Sequence, residues 1–244
     1  MPDAVIRQLI SSDYRTAFDG VEDYMALSED QRTSVVKDAL VQALKNENER
    51  IRSIMLTRGD AMPVYEDHTS AEMSLFLVEE VYKLRDPATI PVLLPWCGPG
   101  DAMVDFGRQA FEPVLRFVEA PLPGITRYQI GSCLYTLRMM VDYWGLDTFS
   151  TLERQRMKQV STRYIVGSEF FLMDDAIRLS ASIRESALLQ MANILVNDNA
   201  EMAKREILDR RWLEQLQETA SQALAGTLKE RQYVPYEEPR KRRY

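Results

Sequence analysis

The chain has 244 residues, of which 45% are hydrophobic and 27% are charged, a balance typical of folded globular proteins. Its formal net charge of −7, from 37 acidic and 30 basic residues, disfavours general binding to a nucleic-acid backbone. No stretch approaches the roughly 18 consecutive apolar residues that a membrane-spanning helix requires, and the first residues lack the pattern of a secretory signal peptide. We therefore expect no membrane insertion.

The cysteine content indicates a reducing compartment. Cys97 and Cys133 are the two cysteines, and both lie among apolar residues. A disulfide framework in a chain of this length would carry more cysteines, and buried single thiols are common in intracellular proteins. We therefore predict two reduced, buried thiols and a cytoplasmic location.

Apolar residues recur at helical spacing along most of the chain, which predicts α-helices. No segment alternates apolar and polar residues as a half-buried strand would, so a sheet is not expected. In chain order, the apolar faces comprise Val36, Ala39, Leu40, Ala43 and Leu44; Met103, Gly107, Ala110, Phe111, Val114, Phe117 and Val118; Ile130, Cys133, Leu134, Leu137, Met140, Val141 and Trp144; Leu188, Met191, Ala192 and Leu195; and Leu213, Leu216, Ala220, Ala223 and Leu224.

Helix starts are indicated by five matches to the capping box. In this motif a hydroxyl side chain and a Glu or Gln three residues later each bond to the other residue's backbone amide. Each match comes just before a segment with helical periodicity, which makes the set consistent. The matches are Ser28 with Gln31, Thr69 with Glu72, Thr126 with Gln129, Ser150 with Glu153, and Ser182 with Glu185.

Glycine and proline indicate where the helices end. The pair Asp86-Pro87 is predicted to end one helix and begin the next, because proline fits the first helical turn. Gly145 and Gly167 are predicted helix stops. Pro113 interrupts an apolar helical face, so a kink or a new segment is expected there.

These patterns predict an all-α fold, a short and irregular α-solenoid of stacked helical hairpins, with an orthogonal helical bundle as the alternative. Residues 1–232 are expected to form a single helical domain, in which residues 59–68 make a long loop between helices. Residues 233–244 have no apolar face and are predicted to be a basic C-terminal tail.

Residues 84–94, with the sequence LRDPATIPVLL, resemble the link into a HEAT-type repeat, in which an L-x-D-P turn precedes a short helix. The resemblance implies a first helix over residues 88–96, a turn over 97–101 and a second helix over 103–118. A weaker echo of the pattern covers residues 175–192. Because one such hairpin cannot bury its own apolar face, the resemblance also implies that neighbouring hairpins stack.

The resemblance implies a non-catalytic scaffold, adaptor or assembly subunit with a protein partner, within a larger assembly. Nucleic acid is expected to bind only through the C-terminal tail. The alternative is enzymatic, because some HEAT-like proteins are alkylpurine DNA glycosylases and others are bilin lyases. Such glycosylases use Trp and Asp residues near the lesion, and Trp96, Trp144, Trp212 and Asp142 are present here without a motif that assigns those roles.

No catalytic residue, metal ligand or cofactor is predicted. His68 is the single histidine and lies in a polar stretch before a helix start, with no nucleophile near it. The sequence WCGPG at residues 96–100 is similar to the thioredoxin-like WCGPC motif, but its last position is Gly100. The second thiol that thiol–disulfide exchange needs is therefore missing. Nucleotide-binding glycine motifs are also absent.

Two acidic pairs and one apolar run are assigned structural roles. Glu79-Glu80 and Asp174-Asp175 are interpreted as solvated helix faces, since adjacent residues on a helix point about 100° apart. Residues 170–173, with the sequence FFLM, are interpreted as core packing, with a soft binding groove as the alternative.

The C-terminal tail is predicted to be a docking element. Basic and aromatic residues on an extended, proline-containing segment suit an acidic or RNA-bearing surface. The alternative is a chain end that binds nothing. The predicted partner-binding residues are Arg240, Lys241, Arg242, Arg243, Tyr236 and Tyr244.

Overall fold

The computed structural model describes residues 2–58, 68–96, 101–167, 169–205 and 210–229. Within these ranges the regular elements are α-helices and short 3-10 helices, and no strand occurs among them. The predicted all-α fold is therefore confirmed. None of the described helices is both long enough and apolar enough to cross a membrane.

The chain divides into two compact units. The N-terminal unit comprises residues 1–96 and 122–126, and the C-terminal unit comprises residues 97–121 and 127–244. The single domain and the separate tail expected from the sequence stay predictions.

The N-terminal unit is built around its longest helix, α3. This helix packs against α1, α4 and α5, and it buries Leu40 and Leu44 on the face predicted from the sequence. The helices are α1 (Pro2–Leu9), α2 (Tyr14–Ala26), α3 (Ser34–Arg58), α4 (His68–Lys83) and α5 (Ile90–Leu93), with 3-10 helices at Glu29–Gln31, Pro87–Thr89 and Leu94–Trp96.

Two carboxylates are buried in the N-terminal unit and paired there. The side chain of Glu47 is 1% exposed; it accepts hydrogen bonds from Arg50 at 2.7 and 2.8 Å and from the Ser74 hydroxyl. Glu80 is also buried and pairs with Arg32 at 3.7 Å. The interpretation of Glu79-Glu80 as a solvated face is therefore wrong for Glu80, because an arginine from outside its own helix allows the carboxylate to be buried.

Polar contacts also connect α3 to the residues around α5. The Asn48 side chain donates a hydrogen bond to the Val92 carbonyl at 2.8 Å and accepts one from the Trp96 indole N–H. Asp86 caps the 3-10 helix that follows it, accepting a bond from the Ala88 amide at 2.9 Å. The predicted break at Asp86-Pro87 is confirmed, because α4 ends just before it.

The C-terminal unit consists of successive helical hairpins. Helix α8 packs on α7 and α10, α10 also packs on α9 and α13, and α11 packs on α13. The helices are α6 (Asp101–Val104), α7 (Phe111–Glu119), α8 (Arg127–Trp144), α9 (Thr151–Val166), α10 (Phe170–Ser182), α11 (Ser186–Asn197), α12 (Asn199–Ala203) and α13 (Arg210–Ala225), with 3-10 helices at Gly107–Ala110 and Leu146–Thr148.

Ion pairs and hydrogen bonds join α9 to α7. Arg156 contacts Glu112 at 2.7 Å and Glu119 at 2.6 Å, and these two carboxylates raise the pKa of its guanidinium further. The Tyr164 hydroxyl donates to the Val118 carbonyl at 2.8 Å. Two neighbouring hairpins are thereby tied together through both charged and neutral contacts.

The single second helix implied over residues 103–118 is wrong. The chain there forms α6, a 3-10 helix and α7, as an interruption at Pro113 suggested. Gly107 adopts φ +71°, a conformation that favours glycine and ends α6's continuation. Pro113 lies in the first turn of α7, where its missing N–H costs no helical hydrogen bond.

The predicted caps and stops are largely recovered. The capping boxes of Ser28 and Ser150 are both formed, and α8 begins directly after Thr126. Helices α8 and α9 end directly before Gly145 and Gly167. The box expected at Ser182 is wrong, because Ser182 is the last residue of α10 and α11 begins at Ser186 instead.

Other predictions concern parts of the chain with less structural detail. Cys133 is fully buried, as expected. Cys97 and the loop expected over residues 59–68 fall outside the described residues, apart from the backbone of His68, which begins α4. The Thr69 box is not supported at its expected position, because Thr69 already lies inside α4.

Candidate functional site

Three helices of the C-terminal unit begin at the same end of their layer. Ring contacts join Tyr128 to Phe171 and Phe171 to Trp212, and each of these residues lies in the first turn of α8, α10 or α13. Further along, the Arg178 guanidinium of α10 donates a hydrogen bond to the Thr219 hydroxyl of α13 at 3.0 Å. Because early turns meet early turns and later turns meet later ones, the three helices run parallel.

Tyr128, Phe171 and Trp212 form what we call the aromatic row. The ring centroids of Tyr128 and Phe171 are 6.3 Å apart, and those of Phe171 and Trp212 are 5.5 Å apart. Tyr128 is 42% exposed and Trp212 is 48% exposed, while Phe171 between them is half-buried. Phe170 lies buried beside the row. Contiguous aromatic surface that stays exposed in this way is typical of interaction sites.

A positive charge lies directly on the aromatic row. The guanidinium carbon of Arg127 is 4.4 Å from the ring centroid of Phe171 and 5.4 Å from that of Tyr128. Cation–π contacts of this kind contribute about 0.5–1 kcal/mol at exposed sites. The arginine therefore helps to hold the rings in place and also gives the surface a charge.

Asp175 lies one helical turn beyond the aromatic row and faces α8 at Gly131. A Cβ atom at Gly131 would lie 3.0 Å from an oxygen of Asp175, so the glycine makes room for the carboxyl group. Burial raises the pKa of Asp175 to about 7, and Asp174 raises it further, although Arg178 and Arg138 oppose the shift. Near neutral pH the carboxyl group is therefore present in both protonation states.

The charged groups around Asp175 are engaged with other partners. Arg138 is 5% exposed, lies 3.3 Å from Asp142 and donates a hydrogen bond to the Lys229 carbonyl at 3.3 Å. Arg178 pairs with Asp174 at 2.6 Å. The nearby arginines therefore hold other carboxylates at short distance.

The arrangement is suited to binding through apolar and cationic surface, with one carboxyl group that can exchange a proton near neutral pH. Within the part of the chain that the structure describes, no group of three or more His, Cys, Asp or Glu side chains could hold a metal ion. The predicted absence of a catalytic centre, metal site and cofactor stays a prediction.

The site residues expected from the sequence are not those of the aromatic row. The partner-binding role of the tail stays a prediction. Its residues, Arg240, Lys241, Arg242, Arg243, Tyr236 and Tyr244, all lie outside the described residues.

Sequence reasoning missed the aromatic row and misjudged Asp175. Asp174-Asp175 was expected to be a solvated face, which is wrong for Asp175 because α8 covers it. Phe170 and its apolar neighbours are core residues, as expected, but Phe171 is part of the surface row. The available signal was an aromatic residue in the first turn of three separate helices, which does not by itself place them together.

The residues considered for a glycosylase role have contacts within the fold. The Trp144 ring stacks near Phe149 with centroids 6.1 Å apart, and Asp142 pairs with Arg138. Trp212 belongs to the aromatic row, away from both. Comparison of the sequence with known protein families and with characterised proteins found no match to either.

Proposed function

We propose that this protein is a non-catalytic macromolecular-binding scaffold or assembly subunit, and that a protein partner docks on the aromatic row. The observation that carries the proposal is the row itself: two aromatic side chains more than 40% exposed, joined through a third. Trp, Tyr and Arg dominate the energetically important residues of protein interfaces, and the row with Arg127 supplies all three.

The row is also preorganised for binding. Tyr128, Phe171 and Trp212 start on three different helices, and each ring is restrained by a neighbouring ring or by Arg127. A partner therefore orders few additional side-chain rotamers when it binds, which lowers the entropic cost of association. Aromatic side chains also provide a large contact area for few rotatable bonds.

A HEAT-like arrangement is part of the proposal. Support comes from two helix–helix turns of the same form, one in each unit. Arg85 and Arg184 each adopt a left-handed conformation, with φ +53° and +59°, and each precedes an acidic N-cap residue, Asp86 or Glu185. Support also comes from the parallel direction of α8, α10 and α13, because alternate helices run parallel in stacked hairpins.

The test is affinity purification from the native source with three forms of the chain. We expect wild type to retain a partner that is lost when Trp212→Ala and Tyr128→Ala are combined. Tyr143→Ala is the matched control, because Tyr143 is 56% exposed on α8 but lies far from the row. Equal recovery of every partner by all three forms would refute docking on the row.

The tail is proposed as an additional, electrostatic contact. Deleting residues 237–244 should leave the melting temperature unchanged, because the charged tail supplies no apolar core residue. It should weaken partner binding most at low salt, since contacts between exposed charges are screened by ions. Unaltered binding of the truncated chain at low salt would remove the tail from the proposal.

The enzymatic alternative has one observation in its favour, a carboxyl group that titrates near neutral pH beside the aromatic row. A HEAT-like glycosylase or lyase would use Asp175 as its acid–base group. Turnover of alkylated DNA or a bilin-linked substrate by the purified chain, abolished by Asp175→Asn, would establish this class in place of the scaffold.

A further inference from the structure

We infer that the aromatic row takes an acidic peptide segment that also carries aromatic or aliphatic side chains. The inference rests on the proposed function and adds the chemistry of the partner. It is argued from the charges around the row, from the way arginine binds carboxylates, and from the charge of the rest of the protein.

The surroundings of the row carry more positive than negative side-chain charge. Arg127 lies on the rings, and Arg210 and Arg211 directly precede Trp212 on α13. The nearby described acids are Glu214, which pairs with Arg210 at 3.0 Å, and Glu169. Both side chains of that pair are highly exposed, so it contributes little stability and exchanges readily for another carboxylate.

The helix starts add to the same charge. None of α8, α10 and α13 has an acidic residue in its first turn. Glu169 precedes α10 without bonding its side chain to the first-turn amides. Each helix start bears a partial positive charge of about half a unit, and the three starts lie together at the row.

Arginine can contact the rings and a carboxylate at the same time. The face of the Arg127 guanidinium lies against Phe171 and Tyr128, whereas carboxylates bind a guanidinium through its N–H edge. An acidic peptide with an apolar side chain can therefore use the charge and the rings together. A basic peptide would be repelled, and a neutral apolar peptide would leave the charges unused.

The net charge of the protein favours a peptide over a nucleic acid. With a formal charge of −7, most of the surface repels a long polyanion, whereas a short acidic segment needs only this one positive region. Attraction at the row and repulsion elsewhere would also direct an acidic segment to the row.

The test is selection of random linear peptides displayed on phage against the full chain. We expect enrichment of peptides rich in Asp and Glu with an aromatic or aliphatic residue. The best synthetic peptide should bind about tenfold more weakly to Trp212→Ala and to Arg127→Gln, and more weakly at high salt. Arg116→Gln is the control, because this arginine is exposed on α7 away from the row and should leave binding unchanged.

Failure of the inference can be told apart from failure of the proposed function. Neutral or basic peptides that need Trp212 would overturn the acidic specificity but keep the docking surface. Peptides that bind wild type and Trp212→Ala equally, or no enrichment at all, would overturn the inference; loss of the native partner on Trp212→Ala and Tyr128→Ala would still preserve the proposed function. Equal affinity for a single-stranded DNA oligonucleotide, or self-association that competes with the peptide, would also overturn it in favour of those occupants.

Discussion

The two units treat their buried carboxyl groups differently. In the N-terminal unit Glu47 is enclosed and fully paired, with Arg50 at 2.7 and 2.8 Å and the Ser74 hydroxyl as a third partner. In the C-terminal unit burial acts on Asp175 without an arginine at such distances, and its pKa rises to about 7. A buried charge with complete partners stabilises packing, whereas one whose ionisation is disfavoured costs stability and indicates a functional region.

The aromatic residues differ between the units in the same direction. Tyr24 in the N-terminal unit is 1% exposed, and burial raises the pKa of its hydroxyl. In the C-terminal unit Tyr128 and Trp212 remain about half exposed while in contact with Phe171. The N-terminal unit uses its polar and aromatic groups internally, and the C-terminal unit presents them at a surface. Four stability predictions test this comparison.

The largest effect is expected from Ala110→Asp in the core of the C-terminal unit. Ala110 is fully buried, and its helical φ and ψ prevent an aspartate there from capping α7 in the usual geometry. An unpaired buried charge should lower the free energy of unfolding by about 4 kcal/mol. Urea denaturation measures this, with Gln109→Asp at the neighbouring exposed position as control. Equal midpoints for the two variants would place Ala110 at the surface.

Glu47→Ala should be the next most damaging substitution. Its removal leaves Arg50 and the Ser74 hydroxyl without their buried acceptor, at a cost of about 3 kcal/mol. Glu49→Ala is the matched control, because Glu49 pairs with Arg52 on the same helix but its side chain is 59% exposed. The control should change the free energy of unfolding by less than about 0.5 kcal/mol. Similar losses would mean that burial of Glu47 adds nothing.

Asp175→Asn should stabilise the protein at alkaline pH. The pKa of Asp175 is raised from 3.8 to about 7, so the unfolded chain ionises first and stability falls as pH rises between these values. Asparagine removes that loss, and the gain should reach on the order of 2 kcal/mol above about pH 8 and vanish below about pH 4.

Denaturation midpoints across this pH range measure the effect of Asp175→Asn. Asp174→Asn is the control; it loses the 2.6 Å pair with Arg178 and should show a small loss of stability with no such gain at alkaline pH. A variant Asp175→Asn that is less stable than wild type at alkaline pH would show that the arginines hold the ionised carboxylate. That result would also remove the contrast with Glu47.

The smallest difference is expected between the capping boxes of the two units. Ser150 and Glu153 cap α9, which has 16 residues, with bonds of 2.7 and 3.2 Å. Ser150→Ala should cost about 1 kcal/mol. Ser28→Ala should cost about half as much, because Ser28 caps a 3-10 helix of three residues. Thermal melts of the two variants give the comparison, and the reverse order would contradict it.

The secondary structure was largely predictable because its causes are local. Apolar spacing, glycine stops at Gly145 and Gly167 and the Ser150 box depend on residues within a few positions of each other. The errors arose where tertiary packing decides. Ser182 has the residues of a cap, yet α10 continues through it, and Glu80 is buried because Arg32 from elsewhere in the chain pairs with it. Periodicity carries no information on such partners.

The aromatic row could not be predicted, because it joins helices about 40 residues apart in the chain. Each of Tyr128, Phe171 and Trp212 is unremarkable in its own helix. Phe171 also stands next to three core residues, so its local sequence favours burial. The row exists because α8, α10 and α13 are parallel and aligned at their first turns, and that alignment depends on contacts between hairpins.

The helix turn at Arg184 and the aromatic row have opposite consequences for the order of folding. A turn of so few residues brings α10 and α11 together at little loss of chain entropy, so this hairpin can form early. The row requires three helices that are distant in sequence, and its contacts can form only after each hairpin has docked. Trp212 is thus placed where its fluorescence would report the last step of assembly, and a partner that binds the row would recognise only chains that have completed it.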